Sequence, residues 1–419
     1  MSSPAAQGSD TVRRPSVVLG VGAGIAAYKV CELLRLLAES GHRVRVVPTR
    51  DSLRFVGAAT WEALSGASVT TEVFDSVPDV PHVRLGQQAD LVVVAPATAD
   101  LLAKAAHGRA DDLLTATLLT ARCPVVFAPA MHTEMWQHPA TVSNVATLRS
   151  RGALVLEPAE GRLTGSDSGK GRLPEPETIF DLLRLVARRG FHGLEPDLGG
   201  RRVVVSAGGT REYLDPVRYL GNRSSGRQGY ALASTAAARG AVVTVVAANV
   251  TLPDPAGVEV IRVETTEELR VQVRGVAVAA DAVVMAAAPS DFRPARVSVA
   301  KLKRPADGTA PALELVQNAD ILAELVANRA GKEPVIVGFA AETGDESGTI
   351  LQHAQAKLAR KGCDFLVVND VSNGQVFGEP DNEALILGAD GSGITVPLGP
   401  KEQLADVVWD VVARRLGIS

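Results

Sequence analysis

The sequence SVVLGVGAGIAAYK, residues 16–29, determines the fold of the first half of the chain. A β-branched apolar run leads into a turn with Gly20, Gly22 and Gly24, and residues with helical spacing follow. The sequence VVVSAGGT, residues 203–210, opens in the same way. Backbone N–H groups at such a turn or helix entrance attract anions. Two of these units, almost half a chain apart, predict two regions that handle nucleotides or phosphates.

Length and composition indicate two α/β domains. A chain of 419 residues suits two domains of about 200 residues each. Apolar residues make up 46% and aromatic residues only 4%, which is typical of parallel sheets flanked by Ala- and Leu-rich helices. The net charge of −4 gives no electrostatic reason to bind nucleic acid or an acidic membrane.

The cysteines and the N-terminus point to the cytoplasm. Cys31, Cys123 and Cys363 are odd in number and widely spaced, which fits neither a disulfide framework nor a zinc site. Two arginines before the apolar run 17–27 resemble a signal peptide, but the glycines break that run as a strand-to-helix turn does. We therefore expect residues 1–14 to be a disordered polar tail and no segment to span a membrane.

Strands that alternate with helical runs predict a parallel sheet in the first half. The expected strands are 17–21, 44–49, 91–96 and 124–129, with helices up to Ser40 and over 51–65. Ligands of such sheets bind beyond the carboxyl ends of the strands. The candidate ligand-binding positions at those ends are Gly22, Ala23, Gly24, Thr49, Ala97, Thr98, Ala130, Met131 and His132.

A long Gly/Ser-rich loop is expected at residues 157–176, as either an active-site cover or a plain linker. A helix over 177–189 and an interdomain joint over 190–200 follow. In the second half the strands are expected at 203–206, 242–247, 258–263, 282–287, 335–339 and 365–368, with a late antiparallel pair at 384–387 and 393–397.

Motifs in both halves carry a family resemblance. PHVRL (81–85), ADLVVVAPATADL (89–101) and PAMHTEMW (129–136) resemble the flavin-dependent cysteine decarboxylases. AGGTRE (207–212), LDPVRY (214–219), NRSSGRQG (222–229), AAAPSDFRP (286–294), KLKR (301–304) and GFAAET (338–343) resemble phosphopantothenate–cysteine ligase. In this order the halves are similar to the bifunctional enzymes of bacterial coenzyme A biosynthesis, with a flavodoxin-like flavoprotein domain at 15–190 and a Rossmann-like, doubly wound ligase domain at 191–419.

For the first half, the resemblance implies FMN-dependent decarboxylation of 4′-phosphopantothenoylcysteine. Oxidation of the thiol to a thioaldehyde lets the carbon accept the electrons left by CO2, and flavin can take and return the hydride. His82 matches the essential histidine of the family, and the candidate positions above match the flavin and substrate contacts. The chain departs from the family at Gly22 (usually Ser or Thr), His132 (usually Asn) and Thr164 (usually a proton-donating Cys). We expect Thr164, Asp167 or a water to complete the protonation.

For the second half, the resemblance implies CTP-dependent ligation of cysteine to 4′-phosphopantothenate through an acyl-cytidylate, with Mg²⁺. The positions that carry over are Arg218, Asn222, Ala287, Asp291 (also the metal contact), Lys301, Ala319, Asp320, Ile321, Leu322, Phe339, Lys357 and Lys361. Cations near a helix C-terminus are favoured in any case, so the last two also fit a purely structural role. Pro289 and Ser290 depart from the family motif, and we expect them to lower nucleotide affinity at most.

Two other functions remain open from the sequence. Relatives of the first half include flavin-binding regulatory proteins without catalysis. A two-domain nicotinamide oxidoreductase is disfavoured because no acidic residue follows the second strand, which ends in Pro48-Thr49. The family further implies small-molecule partners only, trimeric decarboxylase contacts and dimeric ligase contacts, and from these a dodecamer.

Overall fold

The computed structural model describes residues 14–71, 80–162, 168–190, 196–303, 312–342, 349–370 and 381–418. The chain divides into two compact units, residues 1–194 and 195–419. All but the last residue of the expected N-terminal tail lies outside the described residues. Among the described residues, every helix is too short or too polar to cross a membrane.

The first unit is a five-stranded parallel sheet with helices on its faces. Its strands are β1 (Ser16–Val21), β2 (Arg43–Pro48), β3 (Leu91–Ala97), β4 (Val125–Pro129) and β5 (Leu154–Val155). Its helices are α1 (Ala27–Glu39), α2 (Ala58–Ser65), α3 (Pro81–Gln88), α4 (Ala99–His107), α5 (Leu113–Thr120), α6 (Thr133–Gln137), α7 (Pro139–Ser150) and α8 (Pro176–Arg189). The strand order β2-β1-β3-β4-β5 is the flavodoxin-like order, and it confirms the predicted fold class.

The strand predictions are confirmed because central parallel strands are buried on both faces and read as continuous apolar runs. Every residue of β1 and β3 is buried. The continuous helix expected over 51–65 is wrong. A 3-10 turn at Arg50–Arg54 is followed by α2, and Gly57 in an extended conformation separates the two.

The loop expected over 157–176 is also wrong for most of its length. Strands β6 (Ala159–Arg162) and β7 (Ser168–Arg172) pair antiparallel and form a hairpin. Lys170 on β7 pairs with Glu157 at 2.6 Å, and Arg149 pairs with the same carboxylate at 2.8 Å. These two cations fix the base of the hairpin against α7.

The second unit is an eight-stranded mixed sheet. Its sheet strands are β8 (Arg202–Gly208), β11 (Val242–Ala248), β12 (Val258–Val263), β13 (Ala282–Met285), β16 (Val335–Glu342), β17 (Phe365–Asp370), β18 (Asp381–Gly388) and β19 (Gly393–Pro400). Small pairs form between β9 (Glu212–Tyr213) and β10 (Tyr219–Leu220), and between β14 (Phe292–Pro294) and β15 (Leu315–Gln317). The helices are α9 (Arg227–Ala238), α10 (Thr266–Ala277), α11 (Ile321–Asn328), α12 (Ile350–Lys361) and α13 (Lys401–Arg415).

The order of the parallel strands, β12-β11-β8-β13-β16-β17, is that of the doubly wound nucleotide-binding fold. The strand order reverses between β8 and β13, where such folds form their ligand crevice. Helices α9 and α13 cover one face of the sheet, and α10, α11 and α12 cover the other. The antiparallel pair β18 and β19 extends the sheet as predicted.

Candidate active sites

In the first unit, backbone hydrogen bonds join the turns at the carboxyl ends of the strands. Thr49 N–H donates to the Val21 carbonyl at 2.9 Å, and Gly22 N–H donates to the Pro96 carbonyl at 3.1 Å. Ala130 N–H donates to the Ala97 carbonyl at 3.1 Å. The predicted cofactor positions therefore come together at one edge of the sheet.

The glycine at position 22 has a steric cause. A Cβ atom there would lie 2.4 Å from the Pro96 carbonyl oxygen and 2.8 Å from Leu101 Cδ1. The Ser or Thr that is usual at this position in the flavin-dependent cysteine decarboxylases does not fit this backbone. An anion at the turn must therefore be bound by backbone N–H groups. At Gly24, by contrast, the nearest atom to an added Cβ is 3.8 Å away.

Among the described residues of the first unit, three side-chain polar atoms are buried without a hydrogen-bond partner: Thr49 Oγ1, His82 Nδ1 and Thr133 Oγ1. Leaving a buried polar atom unpaired costs about 1–3 kcal/mol, so such atoms are suited to a ligand. Thr98 differs, because its Oγ1 accepts from Leu101 N–H at 3.3 Å and caps α4. Its side chain therefore has a structural role even at the predicted site.

His82 lies on a different element from the joined turns. It is on the first turn of α3, and its carbonyl accepts from Thr120 Oγ1 on α5 at 2.7 Å. Among the described residues, no hydrogen bond connects His82 to Gly22, Thr49 or Ala130.

The hairpin β6–β7 packs against the motif that follows β4. Met131 N–H donates to the Gly171 carbonyl at 2.9 Å, and a Cβ at Gly169 would lie 2.5 Å from Thr133 Oγ1. This contact favours an active-site cover over a plain linker. Thr164 and Asp167 belong to the segment between β6 and β7, which lies outside the described residues.

The side chains of Thr133 and His132 lie next to this contact. Thr133 Oγ1 is buried without a hydrogen-bond partner, and no sequence pattern predicted this because threonine is common at a helix start. His132 is exposed and precedes α6 without capping it by a side-chain hydrogen bond. The imidazole is therefore available to a ligand.

In the second unit, a cavity of about 710 Å³ opens at the carboxyl edge of the sheet. It spans the point where the strand order reverses, and it is lined by most of the positions that carried the ligase resemblance. These are Asn222, Ala287, Asp291, Ala319, Asp320, Ile321, Leu322, Phe339, Lys357 and Lys361.

Hydrogen bonds hold the Pro289-Ser290 turn against this cavity. Asn222 Nδ2 donates to the Pro289 carbonyl at 2.8 Å, and Asn318 Nδ2 donates to the Ser290 carbonyl at 2.9 Å. Ser290 N–H donates to Thr210 Oγ1 at 2.9 Å. The turn is thus held through the carbonyls of Pro289 and Ser290 and through Ser290 N–H, groups that a proline at 289 leaves in place.

One wall of the cavity is cationic. Lys357, Arg360 and Lys361 at the end of α12 all line it, and Lys361 Nζ forms an ion pair with Asp320. Partial burial alone would raise the pKa of Asp320, but the hydrogen bond from Lys361 and that from Ala323 N–H outweigh burial and lower it. The carboxylate is thus charged at neutral pH and holds Lys361 at the cavity wall.

Arg218 and Lys301 do not line this cavity. Both are exposed, and Asp215 connects the segments that carry them. Its carboxylate accepts from Arg218 N–H at 2.9 Å and from Leu302 N–H at 3.1 Å, while Arg218 Nη2 donates to the Leu302 carbonyl. These two predicted residues form one arm outside the pocket.

The sequence analysis assigned no role to several polar residues that line the cavity, among them Gln228 within the motif at 222–229, Asn369, Asn382 and Lys401. Asn382 is 3% exposed and Lys401 is 5% exposed. Asn369 and Asn382 lie in sequence that is typical of strands, and Lys401 lies in sequence that is typical of a helix start. The only available signal was an asparagine at the start of a strand, where this residue type is depleted.

Comparison with known proteins identifies the family. The DNA/pantothenate metabolism flavoprotein C-terminal domain family matches residues 198–416, and the flavoprotein family matches residues 5–188. The coenzyme A biosynthesis bifunctional protein CoaBC of Mycobacterium bovis is 60% identical over 401 residues, covering 94% of this chain and 96% of the relative. The chain belongs to the CoaBC family. The CoaBC protein of Mycolicibacterium smegmatis is 58% identical over 405 residues, covering 96% and 97%. A solved C-terminal domain of a CoaBC protein is 30% identical, covers 54% of this chain and all of its own, and has a TM-score of 0.45.

Membership of the CoaBC family confirms the resemblance seen in the motifs. It supports a catalytic, bifunctional protein of coenzyme A biosynthesis over a flavin-binding regulatory protein. The match of a flavoprotein family to the first unit places flavin chemistry in that half of this CoaBC family member.

Proposed function

We propose that the second unit ligates cysteine to 4′-phosphopantothenate with CTP, and that the first unit decarboxylates the resulting 4′-phosphopantothenoylcysteine with FMN. The observation that carries the ligase half is the 710 Å³ cavity at the reversal of strand order, lined by the ligase-motif residues. The decarboxylase half rests on the joined turns of the flavodoxin-like sheet and on the flavoprotein match.

The first unit has the donors that FMN would need. Gly22 N–H is already bonded to the Pro96 carbonyl, so the N–H groups of Ala23 and Gly24 and the unpaired Thr49 Oγ1 would hold the phosphate. Ala97 and Ala130 would border the cofactor. When bound, FMN supplies reversible two-electron oxidation of the substrate. The chain itself positions the substrate carboxylate with His132 and moves a proton at the buried Nδ1 of His82.

In the second unit, cations and N–H groups would bind the triphosphate. Lys357 and Lys361 lie four residues apart on α12 and would neutralise phosphate oxygens. Among the described residues, no cluster of three metal-ligating side chains occurs. Mg²⁺ usually binds through one or two carboxylates plus substrate phosphates, so it would arrive with CTP and use Asp291. Asn222 would orient the acyl intermediate for attack by the cysteine amine.

Oligomeric contacts would complete both sites. Ile25, Tyr28 and Phe55 are 67%, 61% and 48% exposed near the carboxyl edge of the first sheet. Exposed apolar residues on one edge are typical of an association surface. A trimer of this unit would bring a second chain, with its His82, to these turns, and pairing of the ligase units through the Arg218 arm would give the dodecamer. The three cysteines form no disulfide, which agrees with the cytoplasmic localisation that we propose for this protein.

Separated assays test the two halves. The purified chain with 4′-phosphopantothenate, cysteine and CTP is expected to release CMP and CO2. Lys357→Ala should abolish CMP release and keep CO2 release from added 4′-phosphopantothenoylcysteine, while His82→Asn should do the reverse. A wild-type protein that is colourless, cannot be reconstituted with FMN and yields neither product would refute the proposed function.

A further inference from the structure

A chain of amide hydrogen bonds lies in the wall of the cavity. Gln228 Nε2 on α9 donates to the Lys401 carbonyl at 3.2 Å. Asn382 Nδ2 on β18 donates to Gln228 Oε1 at 3.2 Å and to Asn369 Oδ1 at 3.3 Å. All four residues line the cavity, and none was assigned a role by the motifs.

The bonding pattern fixes the orientation of each amide. The Lys401 carbonyl can only accept, so Gln228 must turn its NH2 group toward it and its oxygen toward Asn382. Asn382 must then turn its own NH2 group toward Gln228 and Asn369. Its Oδ1 is left over, and this atom is buried without a partner in a side chain that is 3% exposed.

An unpaired acceptor selects the chemistry of its partner. A phosphate or carboxylate oxygen is itself an acceptor at neutral pH and gains nothing from Asn382 Oδ1. A hydroxyl or an amino group would satisfy it. The wall at Asn382 is therefore built for a donor-bearing part of the ligand, in contrast to the cationic wall at Lys357 and Lys361.

The neighbouring strands place this acceptor on the same face of the sheet as Phe339, one of the residues that the family resemblance implies as a border of the nucleotide base. Phe339 on β16 is paired with Val367, and Ala341 is paired with Asn369, so Phe339 and Asn369 lie on the same face of adjacent strands. Phe339 packs against the core beneath α9 and α13, which is the face of Gln228 and Lys401. The lysines of α12 lie on the opposite face.

We propose that Asn382 is a specificity-determining residue for the nucleoside part of the nucleotide substrate, with Gln228 as its positioning residue. Asn382 Oδ1 accepts a hydrogen bond either from a ribose hydroxyl or from the amino group of the base. This inference rests on the proposed CTP-dependent ligation. It predicts that discrimination between nucleotides depends on a residue outside the ligase motifs.

Nucleotide kinetics of the full chain test the proposal. KM and kcat are measured for CTP, 2′-deoxy-CTP, 3′-deoxy-CTP and UTP with the wild type and with Asn382→Ala. The product followed is the nucleoside monophosphate that each nucleotide releases. We expect KM for CTP to rise about tenfold in the variant, with kcat and the KM for cysteine nearly unchanged. In the wild type, kcat/KM is expected to be higher for CTP than for the one analogue that lacks the hydrogen-bonding group. In Asn382→Ala the ratio of these two kcat/KM values should fall toward unity.

The analogue whose kcat/KM approaches that of CTP in the variant identifies the donor. It is the 2′-hydroxyl for 2′-deoxy-CTP, the 3′-hydroxyl for 3′-deoxy-CTP and the base amine for UTP. Thr235→Val is the matched control, because Thr235 Oγ1 on α9 is also buried without a partner but does not line the cavity. It should leave all four KM values unchanged.

Preserved wild-type ratios of kcat/KM for every analogue in Asn382→Ala would show that only water meets this oxygen, and the proposal would be wrong. Should that variant fail to fold, Gln228→Met provides the same test, because it removes the acceptor that orients the Asn382 amide. Absence of any CTP-dependent product from the wild type would instead overturn the proposed function itself.

Discussion

Replacing Gly22 by alanine tests the close packing of the turn between β1 and α1. The added Cβ would lie 2.4 Å from the Pro96 carbonyl oxygen and 2.8 Å from Leu101 Cδ1, so the turn must move away from β3. Overpacking of this kind costs about 1–3 kcal/mol, and displacement of the 3.1 Å Gly22–Pro96 hydrogen bond adds about 1 kcal/mol. At a total of about 3 kcal/mol, Tm of a unit this size falls by about 6–12 °C.

Calorimetry of the full chain, with flavin absorbance to mark the first unit, measures this change. Gly24→Ala is the matched control, because its Cβ would meet no atom closer than 3.8 Å and its Tm should stay near wild type. Gly22→Ser introduces the hydroxyl that is usual at this position in the flavin-dependent cysteine decarboxylases. It should be destabilised like Gly22→Ala and should bind FMN less tightly than the wild type. A Gly22→Ala protein as stable as Gly24→Ala would refute the steric explanation.

Three further predictions concern single side chains. Thr49→Val should raise the Kd for FMN about tenfold without loss of stability, because the buried hydroxyl has no protein partner to lose; an unchanged Kd in reconstitution titrations would contradict this. Lys361→Met should raise the pKa of Asp320 in an NMR titration. Because the pKa of that carboxyl is lowered in the folded protein, the stabilisation by its pairing is present above the ordinary value of about 3.9 and is lost as the pH falls through the folded value. Burial, with the charge of Asp90 next, raises the pKa of Cys123 to about 11, so the native protein at pH 8 should resist alkylation there until denaturant is added; rapid labelling without denaturant would count against it.

Much of the fold could be predicted because parallel strands buried on both faces are legible as apolar runs. The strands around Val92 and Val205 were found for this reason, and the turns after them followed from their glycines. The hairpin at 159–172 was not predictable in this way. Its strands are rich in glycine and charge, and they pair because Met131 and Thr133 offer a surface to pack on.

The candidate sites divide along the same line. The family resemblance in the sequence identified many of the residues that border the ligase cavity, including Asn222, Phe339 and Lys361, and the carboxyl ends of parallel strands were expected to converge on one edge. Tertiary structure alone decided that a Cβ cannot fit at Gly22 and that Asn382 is left with an unpaired oxygen. Both facts depend on atoms distant in sequence that fix the available space and hydrogen-bond partners, and no local pattern encodes them.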